Sequence, residues 1–209
     1  MYHFEYVTKK QSAPYKNELI EIITKVQDEV RDQFTFQFTF IGSSSRNMIT
    51  FDPLANIGFD FDVNIEVNVD IKNYDPEEIR AILRNAFTRI SRQYGYNRCE
   101  DSTRVLTIKA IDCWHSRVSH SCDFAIIYNS EDGQQYIRFY KETGEYKWRF
   151  QTKPYRDLET RADFLKEHGY WAEVREVYLN KKNSNDNSYK HSRSLYAEAV
   201  NECYKRHYK

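Results

Sequence analysis

Phe59-Asp60-Phe61-Asp62-Val63-Asn64-Ile65-Glu66-Val67-Asn68-Val69-Asp70 is a strict alternation of apolar and polar residues. Successive side chains of a strand point to opposite faces. Phe59, Phe61, Val63, Ile65, Val67 and Val69 therefore pack inward while the polar residues face the other way. At a rise of about 3.3 Å per residue, Asp60 and Asp62 lie roughly 7 Å apart along one face. Both carboxylates can then turn toward hard cations. A solvated polar face is the plainer reading of a bare Asp-x-Asp, and it is the neighbouring sequence that argues against it.

On the amino-terminal side, Phe34-Thr35-Phe36-Gln37-Phe38-Thr39-Phe40-Ile41 alternates in the same way and predicts a second strand, with the four phenylalanines on its apolar face. That run stops at Gly42-Ser43-Ser44-Ser45-Arg46. Glycine admits close approach of backbone to a ligand, serine supplies hydroxyl and amide donors, and arginine forks onto phosphate oxygens. Alone, Gly-Ser-Ser-Ser reads as a flexible loop. Between these two strands it reads as a triphosphate cradle facing a metal site.

Strand, Gly42-Ser43-x-x-Arg46, then a strand carrying Asp60-x-Asp62 resembles the signature of the DNA polymerase β-like nucleotidyltransferase superfamily. That group spans CCA-adding enzymes, poly(A) polymerases, oligoadenylate and cyclic-oligonucleotide synthases, aminoglycoside nucleotidyltransferases and nucleotidylating toxins. The resemblance covers residues 34 to 128. It implies an α+β fold: a polymerase β-like nucleotidyltransferase core, a mixed sheet with flanking helices, over residues 1–150, then a small C-terminal helical segment over 151–209 packed on the core. It also implies a third carboxylate from a later strand. Asp123, in the apolar run Cys122-Asp123-Phe124-Ala125-Ile126-Ile127-Tyr128, is the candidate, and Asp112, closing the run that starts at Val105, is the runner-up. The interval between Ser43 and Asp60 is long for the family and holds the turn signals Asp52-Pro53 and Asn56-Ile57-Gly58, which bears on nucleotide preference.

The implied reaction is in-line transfer of a nucleoside monophosphate, with little covalent work for side chains and much charge to neutralise. By the resemblance, Asp60 and Asp62 would bridge two Mg²⁺ ions, with Mn²⁺ as a possible substitute, and Asp123 would hold the ion that activates the acceptor hydroxyl. Ser43 and the amides of Gly42 and Ser43 would take the β and γ phosphates, and Arg46 part of their charge. A helix after the core often adds a basic or tyrosine side chain in this family. Lys181, Lys182 and Tyr189 resemble that element, with Lys182 the candidate nucleotide ligand, although a solvated basic loop is the plainer reading. The implied partners are a nucleoside triphosphate and a hydroxyl acceptor, whether small molecule, nucleotide, RNA or protein, and a regulatory protein would fit a toxin.

Two other readings stay open: a catalytically silent nucleotide-binding regulatory module, and a zinc-stabilised RNA- or protein-interaction domain. The second rests on Cys113-Trp114-His115 and His120-Ser121-Cys122. A hairpin turning at 116–119 would set His115 opposite His120, Cys113 opposite Cys122, and Asp112 beside Asp123. Cys₂His₂ is an ordinary zinc set, but this spacing is not that of a known finger and buried cysteine is commonly a small hydrophobe.

Composition agrees with an enzyme without selecting one. The 31 basic and 31 acidic residues balance, which disfavours an obligate nonspecific nucleic-acid binder. Residues 181–209 nevertheless hold seven Lys or Arg against three acids, so this tail carries +4 and the remainder −4. The absence of a bilayer-spanning apolar run and of a signal-peptide pattern predicts a soluble, cytoplasmic protein with no membrane partner, and four scattered cysteines predict reduced thiols.

Helical periodicity predicts a helix over 14–32, opened by Ser12 and Pro14 and burying Leu19, Ile22, Ile23, Val26 and Val30. Asp75-Pro76-Glu77-Glu78 supplies an N-cap, a proline at N1 and a glutamate at N3 for a second helix that ends at Gly95. Residues 133–150 read as a hairpin around Thr143-Gly144. Its tyrosines alternate with Arg138, Lys141, Lys147 and Arg149, a pattern that either stacks on nucleobases or simply lines a half-exposed hairpin. From Pro154 onward the chain reads as helical, with a break near Gly169 and a polar interruption at 181–187.

Overall fold

The alternating runs form strands, as their period predicts, in the computed structural model, which describes residues 2–71, 73–112, 117–152, 157–187 and 190–208. The elements in chain order are β1 (Glu5–Tyr6), α1 (Lys9–Val30), β2 (Thr35–Ile41), α2 (Gly42–Ser45), β3 (Thr50–Phe51), β4 (Phe59–Asn68), α3 (Pro76–Ser91), β5 (Glu100–Asp101), β6 (Val105–Asp112), β7 (Arg117–Ser130), β8 (Gly133–Tyr140), β9 (Glu145–Phe150), α4 (Leu158–Glu167), α5 (Trp171–Asn183) and α6 (Ser192–His207). They divide into a sheet unit, Tyr6–Phe51 with Asn56–Gln151, and a second unit of Met1–Glu5, Asp52–Ala55 and Thr152–Lys209.

In the sheet unit the strand order is β2-β4-β7-β6-β5, with β8 paired to β7 and β9 to β8. β4 and β7 run parallel and the other pairs antiparallel, so the sheet is mixed. Parallel neighbours need a long crossover, and the segment containing α3, β5 and β6 provides it. Phe61, Val63, Ile65 and Val67 of β4 join Cys122, Phe124 and Ile126 of β7 in one buried layer with α1 and α3. Phe87 of α3 stacks on Phe124 with centroids 4.0 Å apart. Burial of each such side chain contributes about 1.5–3 kcal/mol. The helices therefore cover one face of the central strands, and the polar parity of β4 is left on the other.

α3 follows its sequence signals. Asp75 caps Glu77 N–H at 2.8 Å, Pro76 opens the helix, and a single 3₁₀ turn over Arg92–Tyr94 ends at Gly95 with φ +84°. α1 does not begin where the periodicity suggested. Thr8 and Gln11 close a capping box, with Thr8 N–H donating to Gln11 Oε1 at 2.8 Å and Gln11 N–H to Thr8 Oγ1 at 3.2 Å, so the helix starts at Lys9. Pro14 sits inside it rather than opening it. The expected buried stripe is correct: Leu19, Ile22, Ile23, Val26 and Val30 are all buried.

The β6–β7 hairpin differs from expectation in register. Asp112 pairs with Arg117, and after an irregularity between Ala110 and Ile111 the ladder sets Ala110 opposite His120, Ile108 opposite Cys122 and Thr107 opposite Asp123. Residues 117–119 belong to β7 rather than to a turn, so Asp112 is not beside Asp123. Its carboxylate instead pairs with Arg117 Nε at 3.4 Å. The predicted hairpin of β8 and β9 is present, with Ile137 opposite Trp148.

In the second unit α4, α5 and α6 pack pairwise, burying Leu165, Val174, Tyr178, Val200 and Cys203. Gly169, at φ +80°, stands between α4 and α5 as the break predicted. α5 continues through Lys181 and Lys182 to Asn183, further than the polar run suggested. Lys181 Nζ meets Glu202 at 2.8 Å and Asn183 Oδ1 accepts from Phe4 N–H at 2.5 Å, tertiary contacts that hold the last turn. Among the described residues no helix is long and apolar enough to cross a membrane.

Candidate active site

The parallel pairing of β4 and β7 sets Asp60 opposite Ser121 and Asp62 opposite Asp123. Alternation within each strand then puts all four on the face away from α1 and α3. Three carboxylates thus share one patch of sheet, two of them adjacent across a strand pair. Asp60 is exposed, and Asp62 and Asp123 are half-buried.

Electrostatics at this patch follow from crowding. Burial, then the charges of Asp123 and Asp60, push Asp62 up to about 6, against an opposing effect of Arg46. Burial likewise raises Asp123, opposed by a hydrogen bond from Thr107. Two hydroxyls hold the outer acids: Thr107 Oγ1 donates to Asp123 Oδ1 at 2.5 Å, and Ser121 Oγ donates to Asp60 Oδ1. Neither hydroxyl was singled out in the sequence. Ser121 shares the parity of Asp123, but Thr107 becomes visible only once the β6–β7 register is known.

The Gly42-Ser43 segment is built against the same carboxylates. Ile41 pairs with Asp62 at the end of β2, and the chain then turns through the one-turn helix α2 rather than an open loop. Gly42 has φ +68°, and a Cβ added there would meet Asp62 Oδ2 at 2.3 Å. Conformation therefore favours glycine, and a side chain there would also displace the Asp62 carboxylate. Met48 N–H donates to Ser43 O at 2.8 Å, and Ser45 Oγ to Gly42 O at 3.0 Å, closing the turn on itself. Arg46 follows as the C-cap of α2, half-buried and near enough for its charge to act on Asp62. The structure thus gathers Gly42, Ser43, Arg46, Asp60, Asp62 and Asp123 in one unit. Lys182 lies in the other unit, its ammonium 4.1 Å from the centroid of the Phe4 ring.

Among the described residues no group of three or more His, Cys, Asp or Glu side chains is arranged to hold a metal ion as it stands. The chemistry of the donor set nonetheless suits a hard divalent cation: all oxygen, partly dehydrated, with like charges whose repulsion a cation would relieve.

Of the alternative zinc set, only His120 and Cys122 are among the described residues. Cys113 and His115 lie outside the described residues, as does Tyr189. His120 Nε2 bonds to Tyr96 Oη at 2.7 Å and Nδ1 to Ser119 Oγ at 3.0 Å, while Phe59 stacks on its ring. Burial there lowers its pKa to about 4. Cys122 is wholly buried on the helix side, and burial holds its thiol well above the usual range. Cys99, Cys122 and Cys203 are free thiols. The hairpin aromatics also have partners within the chain: Tyr136 is buried, with its Oη 2.6 Å from Arg104 Nη2, and Trp148 lies against Tyr128.

No family model and no curated protein matches the sequence. Solved structures do match the fold. DncV of Vibrio cholerae in its GTP-bound form superposes with a TM-score of 0.59 at 18% identity, over 89% of this chain and 50% of that one. The CD-NTase CdnG of Bradyrhizobium diazoefficiens in complex with GTP gives 0.60 at 10% identity, over 95% and 67%. DncV of Escherichia coli in its 3′-deoxy GTP-bound form gives 0.56 at 16%, over 93% and 55%. The chain spans about half the length of the DncV structures it matches. Its fold, a mixed sheet with flanking helices followed by C-terminal helices, is the nucleotidyltransferase fold of these proteins.

Proposed function

We propose that this chain carries the catalytic centre of a metal-dependent nucleotidyltransferase, moving a nucleoside monophosphate from a nucleoside triphosphate to the hydroxyl of a second nucleotide with release of pyrophosphate. The observation that carries the reading is the register of Asp62 against Asp123, with Asp60 two residues away and the Gly42 turn closed on Asp62. A structural neighbour described as a cyclic AMP-GMP synthase supports a nucleotide as the acceptor, ahead of an RNA, a protein or another small molecule.

Asp60, Asp62 and Asp123 would hold Mg²⁺, or Mn²⁺ in its place. That cation would supply positive charge to the phosphoryl oxygens and lower the pKa of the attacking hydroxyl. The residues of the chain do the positioning. Ser43 and the turn around it would receive the β and γ phosphates, and Arg46 would offset part of their charge. Rate then comes from orientation and charge complementarity, since the reaction asks little covalent chemistry of side chains.

Product identity tests the acceptor. Incubation with each α-labelled nucleoside triphosphate and Mg²⁺ is expected to give a small, phosphatase-resistant labelled nucleotide. Label recovered only in RNA or protein would overturn the nucleotide acceptor.

The Gly42 turn gives a sharper prediction. Gly42→Ala forces a Cβ into the Asp62 carboxylate and costs roughly 1–2 kcal/mol of backbone strain. A displacement of about 1 Å at a reacting centre can cost about 10²-fold in rate. The variant is expected to fold and to lose transfer by about that factor in a steady-state assay. A wild-type rate would show that Asp62 need not stand where it does.

A further inference from the structure

We infer that Thr107 is a positioning residue for the third carboxylate, holding Asp123 in the orientation that a divalent cation needs; the inference rests on the metal-site reading above. Thr107 stands directly opposite Asp123 in the β6–β7 ladder, and its hydroxyl donates to Asp123 Oδ1 at 2.5 Å. A hydroxyl has one proton to give, so this bond engages Oδ1 and restrains the carboxylate without using Oδ2. The β-branched side chain is stiff at χ1, which makes the hydroxyl a firm anchor.

The identity of the group matters as much as its place. A neutral hydroxyl orients a carboxylate without cancelling its charge, whereas an ammonium in the same position would compete with a cation. The nearest ammonium on that face of β6 belongs to Lys109, and it is engaged with Glu100 at 2.6 Å. Packing does not require the hydroxyl. Thr107 is half-buried on the polar parity of β6, while Leu106 and Ile108 serve the core, and valine would suit the strand as well as threonine. The hydroxyl at 107 therefore serves Asp123 rather than the sheet.

Partners that orient metal ligands are typically worth about 10- to 100-fold in metal affinity. The test titrates MnCl₂ alone, without nucleotide, into the purified full chain and reads free Mn²⁺ by electron paramagnetic resonance, with melting temperatures as a check on folding. Thr107→Val is expected to weaken Mn²⁺ binding by about 10- to 100-fold at an unchanged melting temperature, and Thr107→Ser to restore it. Thr107→Val binding within about twofold of wild type, while Asp62→Ala loses binding, would overturn this inference and leave the site reading standing. Thr107→Ser as weak as Thr107→Val would also overturn it, because the hydroxyl would then not be the cause. Wild-type binding no stronger than that of Asp62→Ala would overturn the site reading and this inference together.

Discussion

Asp62→Ala is expected to remove nucleotidyl transfer, by about 10³-fold or more, while the metal-free protein melts no lower than wild type. A centre whose groups act as a unit loses most of its rate enhancement when one member goes. Asp62 is the innermost of the three acids, flanked by Asp123 across the strand pair and Asp60 along the strand, with burial and both charges acting against its ionised form. Without a cation this cluster is repulsive, so deleting its central charge relieves the fold. The buried parity of β4, from Phe61 to Val67, is untouched by the change. Transfer assays beside thermal melts check both halves. Loss of activity with a large drop in melting temperature would make Asp62 structural, and a wild-type rate would place the chemistry elsewhere.

Asp101→Ala is expected to destabilise the sheet unit by about 3–5 kcal/mol, the usual cost of stranding a buried charge. Its partner Arg80 is 1% exposed, and a guanidinium so placed cannot shed its charge. Arg80 Nε donates to Asp101 Oδ1 at 2.7 Å, Nη2 to Ser102 O at 2.6 Å and Val105 O at 2.9 Å, and Nη1 to Ile137 O at 3.3 Å. Asp101 also accepts from Tyr146 Oη at 2.8 Å, so one ion pair ties α3 to β5, β6, β8 and β9. The double variant Arg80→Met with Asp101→Ala should cost less than the sum of the two single changes, because the fully buried guanidinium goes with its partner and only the more exposed Arg84 loses an ion pair. Urea denaturation measures all three variants. A loss of under about 1 kcal/mol for Asp101→Ala would mean that water reaches the guanidinium.

What the sequence disclosed and what it hid divide along one physical line. Alternation identified β2 and β4 because a half-buried strand must alternate. The Asp75-Pro76 start of α3 was legible because capping is local chemistry. Asp123 stood out as an acid in an apolar run, and the ladder does set it beside Asp62. Hidden features depend on pairing between distant segments. The hairpin turn had no marker strong enough to fix its position, so Asp112 fell beside Asp123 on paper and beside Arg117 in the fold. Thr107 and Ser121 are ordinary strand residues until the register gives each a carboxylate. Arg80 sits one residue from Ile79 on α3, and nothing local says that its charge goes inside. For α1 the Thr8-x-x-Gln11 capping box was present in the sequence, but Ser12 and Pro14 made the more conspicuous start.

The most direct test of the central claim incubates wild-type protein and the Asp60→Ala/Asp62→Ala double variant with α-labelled nucleoside triphosphates and Mg²⁺, and follows label leaving the triphosphate pool. The account predicts metal-dependent labelled product and pyrophosphate from wild type, and neither from the double variant. Equal product from both proteins would contradict the carboxylate assignment. No product from wild type under any nucleotide or metal condition, with triphosphate still bound, would contradict transfer and leave a nucleotide-binding module in its place.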